Sequence, residues 1–189
     1  MDLVTLGSMR RLFFPAFFVL SIISTSLPVW GGAAETDRKP LVLQVYHQMP
    51  GFLDFLYSSE AFHKTLSTGE TRILAGIIAL FAEAQWQRSP EIEIGFSSDR
   101  NSFKLGGQER TAMTSVLRED PILFNETLIQ NSSVRFEMLD AFQLLVHELA
   151  RKLPAVNMDD AETLAVKVRT ELENYAQATP LGLHDRLIT

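Results

Sequence analysis

The stretch LLVHELARKLP, from Leu144 to Pro154, closes an amphipathic segment around which the second half of the chain is organised. On a helical projection one face of this segment is apolar, and its members are Leu139, Phe142, Val146, Leu149, Ala150 and Leu153. A helix with such a stripe buries it against other elements. We therefore expect a core helix that is capped by Ser132 or Ser133. Because proline cannot continue a helix, Pro154 is expected to end it after Leu153.

A second helix is predicted to follow closely. Asn157 is a suitable N-cap because its side-chain oxygen can accept a hydrogen bond from a backbone N–H of the first turn. Asp159 and Asp160 lie in that turn, where the helix dipole favours negative charge. This helix is expected to reach about Ala178 and to end before Pro180.

Short strands are predicted upstream of the two helices. The run LVLQVYHQ (41–48) is rich in β-formers and is a candidate first strand. EIEIGF (91–96) alternates like a half-buried strand, and PILFN (121–125) is a short apolar strand. Gly106-Gly107 is expected to form a hairpin turn.

One buried helix is predicted between these strands. Ser67 and Glu70 have the spacing of a capping box, and the segment that they open, 68–87, is apolar nearly all round. The predicted fold class is therefore α+β, with short strands in the N-terminal half, a buried central helix and two packed C-terminal helices.

The first 34 residues have the layout of a secretory signal. Arg10 and Arg11 form a basic start, LFFPAFFVLSIISTSLPVW is apolar, and GGAA supplies small residues for cleavage after Ala34. Met9 is an alternative start to Met1. Residues 35–189 are then expected to form one exported domain, since 155 residues suffice for a core. An uncleaved anchor helix is the alternative.

Charge and cysteine content narrow the class of protein. Without Arg10, Arg11 and Asp2, the 17 basic and 23 acidic side chains become 15 and 22, a net charge of −7. This argues against nucleic acid as a partner, because phosphate backbones attract basic surfaces. The chain has no cysteine, which suits a bacterial periplasm. We expect the partner to be an unidentified protein or peptide, with no stable membrane insertion after signal cleavage.

His147 and Glu148 begin the pattern H-E-x-x-H, but Arg151 holds the position of the second histidine. In that pattern two imidazoles four residues apart lie on one helix face and bind one zinc ion. The glutamate takes a proton from the zinc-bound water. A guanidinium stays protonated and has no lone pair for a metal.

The order of elements around this pattern carries a family resemblance. PILFN, the helix with LLVHELARK and the helix with NMDDAETLAVKV follow one another over roughly residues 121–170. This order resembles small secreted bacterial zincins of the gluzincin type, in which a strand precedes the motif helix and an acid on the next helix completes the metal shell. The resemblance implies that His147 matches the first zinc ligand and Glu148 the general base. Asp160 or Glu162 matches the acidic ligand.

With Arg151 at a ligand position, the resemblance implies a zincin-like protein that has lost its metal site and acts through binding or structure, without a cofactor. The Arg151 head group would then lie where the metal would have been and pair with Glu148 or with acids of the next helix. The alternative is an active zinc metallopeptidase with a rearranged site. Its metal would be held by His147, an acid from 159–162 and one further imidazole, for which His47, His63 and His184 are available.

A third possibility is an exported helical domain unrelated to zincins. Glu148 is then half of a favourable surface pair with Lys152, four residues further on. His147 is then a hydrogen-bonded residue at the boundary of the apolar face. The acids Asp159, Asp160 and Glu162 are then sufficiently explained by the first turn of their helix.

Overall fold

The structure is a computed structural model that describes residues 37–86, 88–131 and 136–178. The predicted signal segment 1–34 and His184 lie outside these residues. The described residues contain six α-helices, namely α1 (Lys39–Ser58), α2 (Glu60–His63), α3 (Thr68–Gln85), α4 (Glu126–Asn131), α5 (Met138–Ala150) and α6 (Met158–Ala178). They also contain five short strands, namely β1 (Ile94–Ser97), β2 (Lys104–Leu105), β3 (Gln108–Glu109), β4 (Ala112–Met113) and β5 (Ile122–Asn125).

Helix α1 occupies the segment 41–48 that was predicted to be the first strand, so that prediction was wrong. Pro40 lies in the first turn, where its missing N–H leaves no helix bond unmade. The buried side chains of α1 recur every three or four residues, as on a helix: Val42, Val45, Tyr46, Met49, Leu53 and Leu56. A buried stripe of this period along 20 residues outweighs the local β-propensity of 41–48.

Helix α3 confirms the predicted buried helix and its start. The Ser67 hydroxyl accepts a hydrogen bond from the Glu70 N–H at 3.1 Å, and the Glu70 carboxylate accepts one from the Ser67 N–H at 2.6 Å. Lys167 of α6 donates to both carboxylate oxygens of Glu70, at 2.9 and 2.7 Å. The capping box therefore also links α3 to α6.

The main sheet has the strand order β1-β5-β4. β5 pairs in parallel with β1, where Ile94 lies opposite Ile122, and antiparallel with β4, where Ala112 lies opposite Phe124. β4 is thus an edge strand. The predicted strands at 91–96 and 121–125 are confirmed, although β1 itself begins at Ile94.

Strands β2 and β3 form the separate hairpin that Gly106-Gly107 predicted. Both glycines have positive φ angles, 61° and 81°. Two consecutive left-handed residues are what a tight hairpin turn requires, and glycine adopts them without a side-chain clash.

Helices α5 and α6 are the two packed C-terminal helices of the prediction. The N-cap of α5 is Glu137, whose N–H donates to the carboxylate of Asp140 at 2.8 Å. The predicted cap at Ser132 or Ser133 was therefore wrong, and both serines lie outside the described residues. The cap of α6 is Asn157 as predicted, since its Oδ1 accepts a hydrogen bond from the Asp159 N–H at 3.0 Å.

Helix α5 ends at Ala150, three residues earlier than predicted. The chain continues in a tighter turn, in which the Leu153 N–H bonds to the Ala150 carbonyl at 3.1 Å. Pro154 disfavours the helical conformation of the residue before it, which accounts for the early end. Leu153 nevertheless packs on α3, because a Cβ built at Gly76 would lie 2.7 Å from its Cδ1.

Helix α5 is the centre of the core, since it packs against α1, α3, α6 and β4. Its fully buried apolar side chains are Ala141, Phe142, Leu145, Val146, Leu149 and Ala150. They belong to one cluster with the buried residues of the other helices and of the sheet. The fold is α+β, as predicted. None of the helices in the described ranges is long and apolar enough to cross a membrane.

Candidate functional site

His147 and Glu148 lie in the last turn of α5, on the side of the helix that faces β4 and α6. Successive helix residues are about 100° apart, so the two side chains leave the helix in different directions. Glu148 is turned inward and is 3% exposed. The His147 side chain lies at the boundary and is 20% exposed.

His147 meets Glu162 of α6. Its Nδ1 lies 2.8 Å from a carboxylate oxygen of Glu162, an ion-pair distance, although the contact lacks the alignment of a good hydrogen bond. Burial lowers the pKa of His147 below its ordinary value. Glu162 raises that pKa and Arg151 lowers it further, and burial, the largest cause, makes the net shift downward.

Glu148 has a buried carboxylate oxygen, Oε2, without a hydrogen-bond partner among the described residues. Burial raises its pKa, because the charged form has lost its water. Arg151, Arg110 and Lys152 act in the opposite direction through their positive charge, and burial outweighs them. A carboxylate in this state is uncommon, since buried charges are normally paired.

Lys152 does not form the surface pair with Glu148 that its spacing suggested, so that interpretation was wrong. The Lys152 side chain is buried, and its Nζ donates to the carbonyls of Leu117 and Asp120, at 2.7 and 2.6 Å. Burial lowers the pKa of Lys152. The (i, i+4) spacing places Glu148 and Lys152 on one helix face. The Lys152 ammonium nevertheless bonds to two carbonyls of the loop before β5 and not to Glu148.

Asp160 and Glu162, between which the sequence did not choose, point in different directions. A Cβ built at Gly69 would lie only 2.2 Å from Oδ2 of Asp160, so Asp160 faces the start of α3. Glu162 faces His147. Two residues apart on a helix means about 200° of rotation, so the two acids cannot share one site.

Arg151 follows α5 directly as its C-cap residue and is half-buried. The predicted ion pair with Glu148 or with acids of α6 is not formed among the described residues. Arg151 still acts on both neighbours through space, since it lowers the pKa of His147 and of Glu148. The Arg151 guanidinium therefore lies near His147 and Glu148 but forms no ion pair with the carboxylate of Glu148 or of Glu162.

These residues do not fit a zinc ion. His147 and Glu162 are brought together, but a zinc site needs three or four donors, and the charges of Arg110 and Arg151 lie nearby. The other described imidazoles belong elsewhere: His47 stacks edge-on against Tyr46 of α1, and His63 against Tyr57. Within the described ranges no group of three His, Cys, Asp or Glu residues is arranged to hold a metal.

A cleft of about 370 Å³ opens beside the pair, and we call it the α5–β4 cleft. It is lined by Arg110, Thr111, Ala112, Phe136, Asp140, Gln143, Leu144, His147, Glu148 and Glu162. Asp140 on its wall is held by Arg169 of α6, which also donates to Gln143 at 3.3 Å. The wall formed by the two helices is thus fixed by contacts between them.

The opposite wall of the cleft is the free edge of β4. The Asn125 N–H donates to the Thr111 carbonyl at 2.9 Å, so Thr111 turns its peptide groups toward β5. Antiparallel pairs alternate in this respect, which directs the N–H and C=O of Ala112 away from β5. Sequence reasoning missed this strand and Arg110, because the segment around them is too short to show a period.

The chain matches no protein-family model. Comparison with curated proteins and with solved structures also gave no significant match.

Proposed function

We propose that this chain is an exported zincin-like protein without a working metal site, and that it binds an extended peptide segment of a partner protein in the α5–β4 cleft. The observation that carries the proposal is a cleft whose one wall is an unpaired strand edge and whose other wall holds the His147–Glu162 contact and the buried Glu148.

The free edge of β4 supports the peptide-binding part of the proposal. An unpaired strand edge is a template for another strand, and peptide-binding domains use it through main-chain hydrogen bonds. The N–H and C=O of Ala112 point away from β5 and form one such pair in the wall of the cleft, where Ala112 itself is 3% exposed. The α5 wall supplies both apolar and polar side chains, Leu144 and Gln143, which suit the alternating side chains of an extended peptide.

The chemistry of the donor set supports the non-catalytic part. In the zincin-like interpretation Arg151 replaces a zinc-binding imidazole. In the fold its charge lies near His147 and Glu148 but forms no ion pair with Glu148. An active zinc metallopeptidase with a rearranged site is the second candidate. It is favoured by one observation, the approach of Glu162 on α6 to His147 on α5.

Zinc content measured by mass spectrometry, on the purified protein and on its Arg151→His variant, separates these two candidates. We expect the natural protein to be empty and the variant to hold one zinc, because a second imidazole one helix turn from His147 restores a helix-borne pair of ligands. Stoichiometric zinc in the natural protein would overturn the proposal in favour of the peptidase. If neither protein binds zinc, the zincin-like reading fails.

Selection from a random hexapeptide library displayed on phage tests the binding part. We expect the Ala112→Pro variant to lose the selected peptides, because proline removes the outward N–H of β4 while the bonds to β5 remain. Ala112→Gly keeps that N–H and is the matched control, which should bind. Equal binding by the proline variant would place the peptide elsewhere.

A further inference from the structure

Glu148 carries a buried carboxylate in the α5–β4 cleft for which the described residues provide no counter-ion. The residue is 3% exposed and lines the cleft, and its buried Oε2 has no hydrogen-bond partner among the described residues. The other two carboxylates of the cleft differ, since Asp140 is bound by Arg169 and Glu162 contacts His147. Glu148 is therefore the one cleft carboxylate, within the described ranges, that is both buried and unpaired.

The basic side chains near Glu148 do not satisfy it. Lys152 is held by the carbonyls of Leu117 and Asp120. Arg110 and Arg151 influence the charge of Glu148 through space, but neither lies within ion-pair distance of it. The ionised form of Glu148 needs a donor, and the described residues supply none, so a partner for that form has to come from outside these residues.

We infer that Glu148 receives a primary ammonium group of the bound peptide, either its N-terminus or a lysine side chain. This inference rests on the proposed peptide-binding function of the cleft. An ammonium carries three N–H donors and one positive charge on a small head group, so it supplies both the hydrogen bond and the charge that Glu148 lacks. A cleft of about 370 Å³ has room for such a group at the end of a short chain.

The surrounding charges explain why a peptide is needed to deliver the cation. Arg110 lines the cleft and Arg151 lies close behind, so a free cation from solvent meets repulsion as well as the attraction of Glu148. A peptide that also bonds to the edge of β4 brings its ammonium to Glu148 at a high effective concentration. We therefore expect the cleft to bind a peptide ammonium more tightly than a simple cation.

Peptide titrations followed by NMR test the inference. The probes are a valine-threonine tetrapeptide amide with a free N-terminus, its N-acetylated form, and two N-acetylated versions that contain either lysine or norleucine at one position. We expect an ammonium-bearing probe to bind at least ten times more tightly than its neutral counterpart. The pair that shows this difference identifies the source of the ammonium.

The Glu148→Gln variant keeps the shape of the side chain and removes its charge. We expect it to abolish the advantage of the ammonium-bearing probe, whereas Glu173→Gln, the same change on the exposed side of α6, should keep it. Equal binding of ammonium and neutral probes to the natural protein would overturn the inference without requiring any variant. If the neutral probes bind and Ala112→Pro removes them, the peptide-binding function stands and only the ammonium inference fails. If no probe binds, both fail.

Discussion

Glu70 and Glu148 are two glutamates with the same exposure, 3%, and opposite electrostatic states. Burial works to raise the pKa of Glu70, but hydrogen bonds from Lys167 and Ser67 hold it below its ordinary value. Glu148 has no such donors among the residues that the structure describes, and burial raises its pKa. The comparison shows that burial alone does not fix the charge of a carboxylate, because its hydrogen-bond donors decide which form is favoured.

Glu70 and Glu148 also differ in the contacts that their carboxylates make. Glu70 closes the first turn of α3 and joins it to α6, so all its contacts serve the fold. Glu148 lines a cleft, and its buried Oε2 has no hydrogen-bond partner among the described residues. A buried group that the fold leaves unsatisfied requires an explanation, and a role in binding is one that fits its position in a cleft.

The largest expected loss of stability follows from removing the counter-ion of Glu70. Lys167→Met removes the counter-ion and should destabilise the protein by about 2–4 kcal/mol, because the buried carboxylate remains without its partner. Adding Glu70→Gln to this variant should recover part of the loss, since glutamine can keep the capping box. Urea unfolding measures both changes. A loss below about 0.5 kcal/mol for the single variant would show that Glu70 does not depend on Lys167.

A smaller loss is expected for Lys152→Met. The variant leaves the carbonyls of Leu117 and Asp120 without their donor, and we expect a destabilisation of about 1–3 kcal/mol. Hydrogen exchange should show faster opening of the loop before β5, while the amides of α3 stay protected. Unchanged exchange in the loop would contradict its anchoring by Lys152.

Unlike the two lysine substitutions, Glu148→Gln is expected to stabilise the protein. The raised pKa of Glu148 means that its contribution to stability is complete below the unfolded pKa, near 4.5, and is lost as pH rises through the folded pKa. The variant is therefore expected to be more stable than the natural protein by about 1 kcal/mol at pH 8, with no gain at pH 4. Thermal unfolding at the two pH values measures this. A destabilised variant at pH 8 would indicate that Glu148 has a partner in the free protein.

Glu70→Gln provides the contrast in pH dependence. The lowered pKa of Glu70 gives stability that is present above the unfolded pKa and is lost as pH falls through the folded pKa. We expect this variant to lose stability at pH 8 and to equal the natural protein in strong acid. The same unfolding series detects it, and parallel pH profiles for the Glu70 and Glu148 variants would remove the distinction between the two residues.

The smallest expected effect concerns the contact between His147 and Glu162. Glu162 is 59% exposed, so Glu162→Gln should change the free energy of unfolding by less than about 0.5 kcal/mol. The pKa of His147 should nevertheless fall further, because Glu162 is the group that raises it against burial. An NMR titration of the imidazole measures the change. An unaltered or higher pKa would mean that the contact does not form in solution.

Features that depend on local spacing were predictable. Ser67 and Glu70 satisfy each other within one helix turn, Gly106 and Gly107 form a turn by themselves, and Asn157 caps the residues directly after it. The segment 41–48 failed because its β-forming composition is equally compatible with a helix, and only the surfaces that it buries distinguish the two. The first C-terminal helix was predicted from its apolar face, and the second from the Asn157 cap and the acids that follow it.

The candidate site was predictable in part. The sequence indicated His147, Glu148 and an acid of the next helix, but the choice between Asp160 and Glu162 depends on how α6 is rotated against α5 and α3. The partner of Lys152 depends on a loop more than 30 residues away in the sequence. Such contacts between distant residues leave no mark in local spacing.

Side-chain periodicity and bonds within a few residues are enough to predict the α+β class, the buried helix with its capping box and the pair of C-terminal helices. Three features of the site depend on how distant parts of the chain pack together. Glu148 is buried without a partner among the described residues, Arg151 lies near it without pairing, and the outward edge of β4 faces Glu148 across a cleft. The physical reason is that the state of a charged group depends on what the whole fold brings within a few ångströms of it, and the linear sequence does not contain those distances.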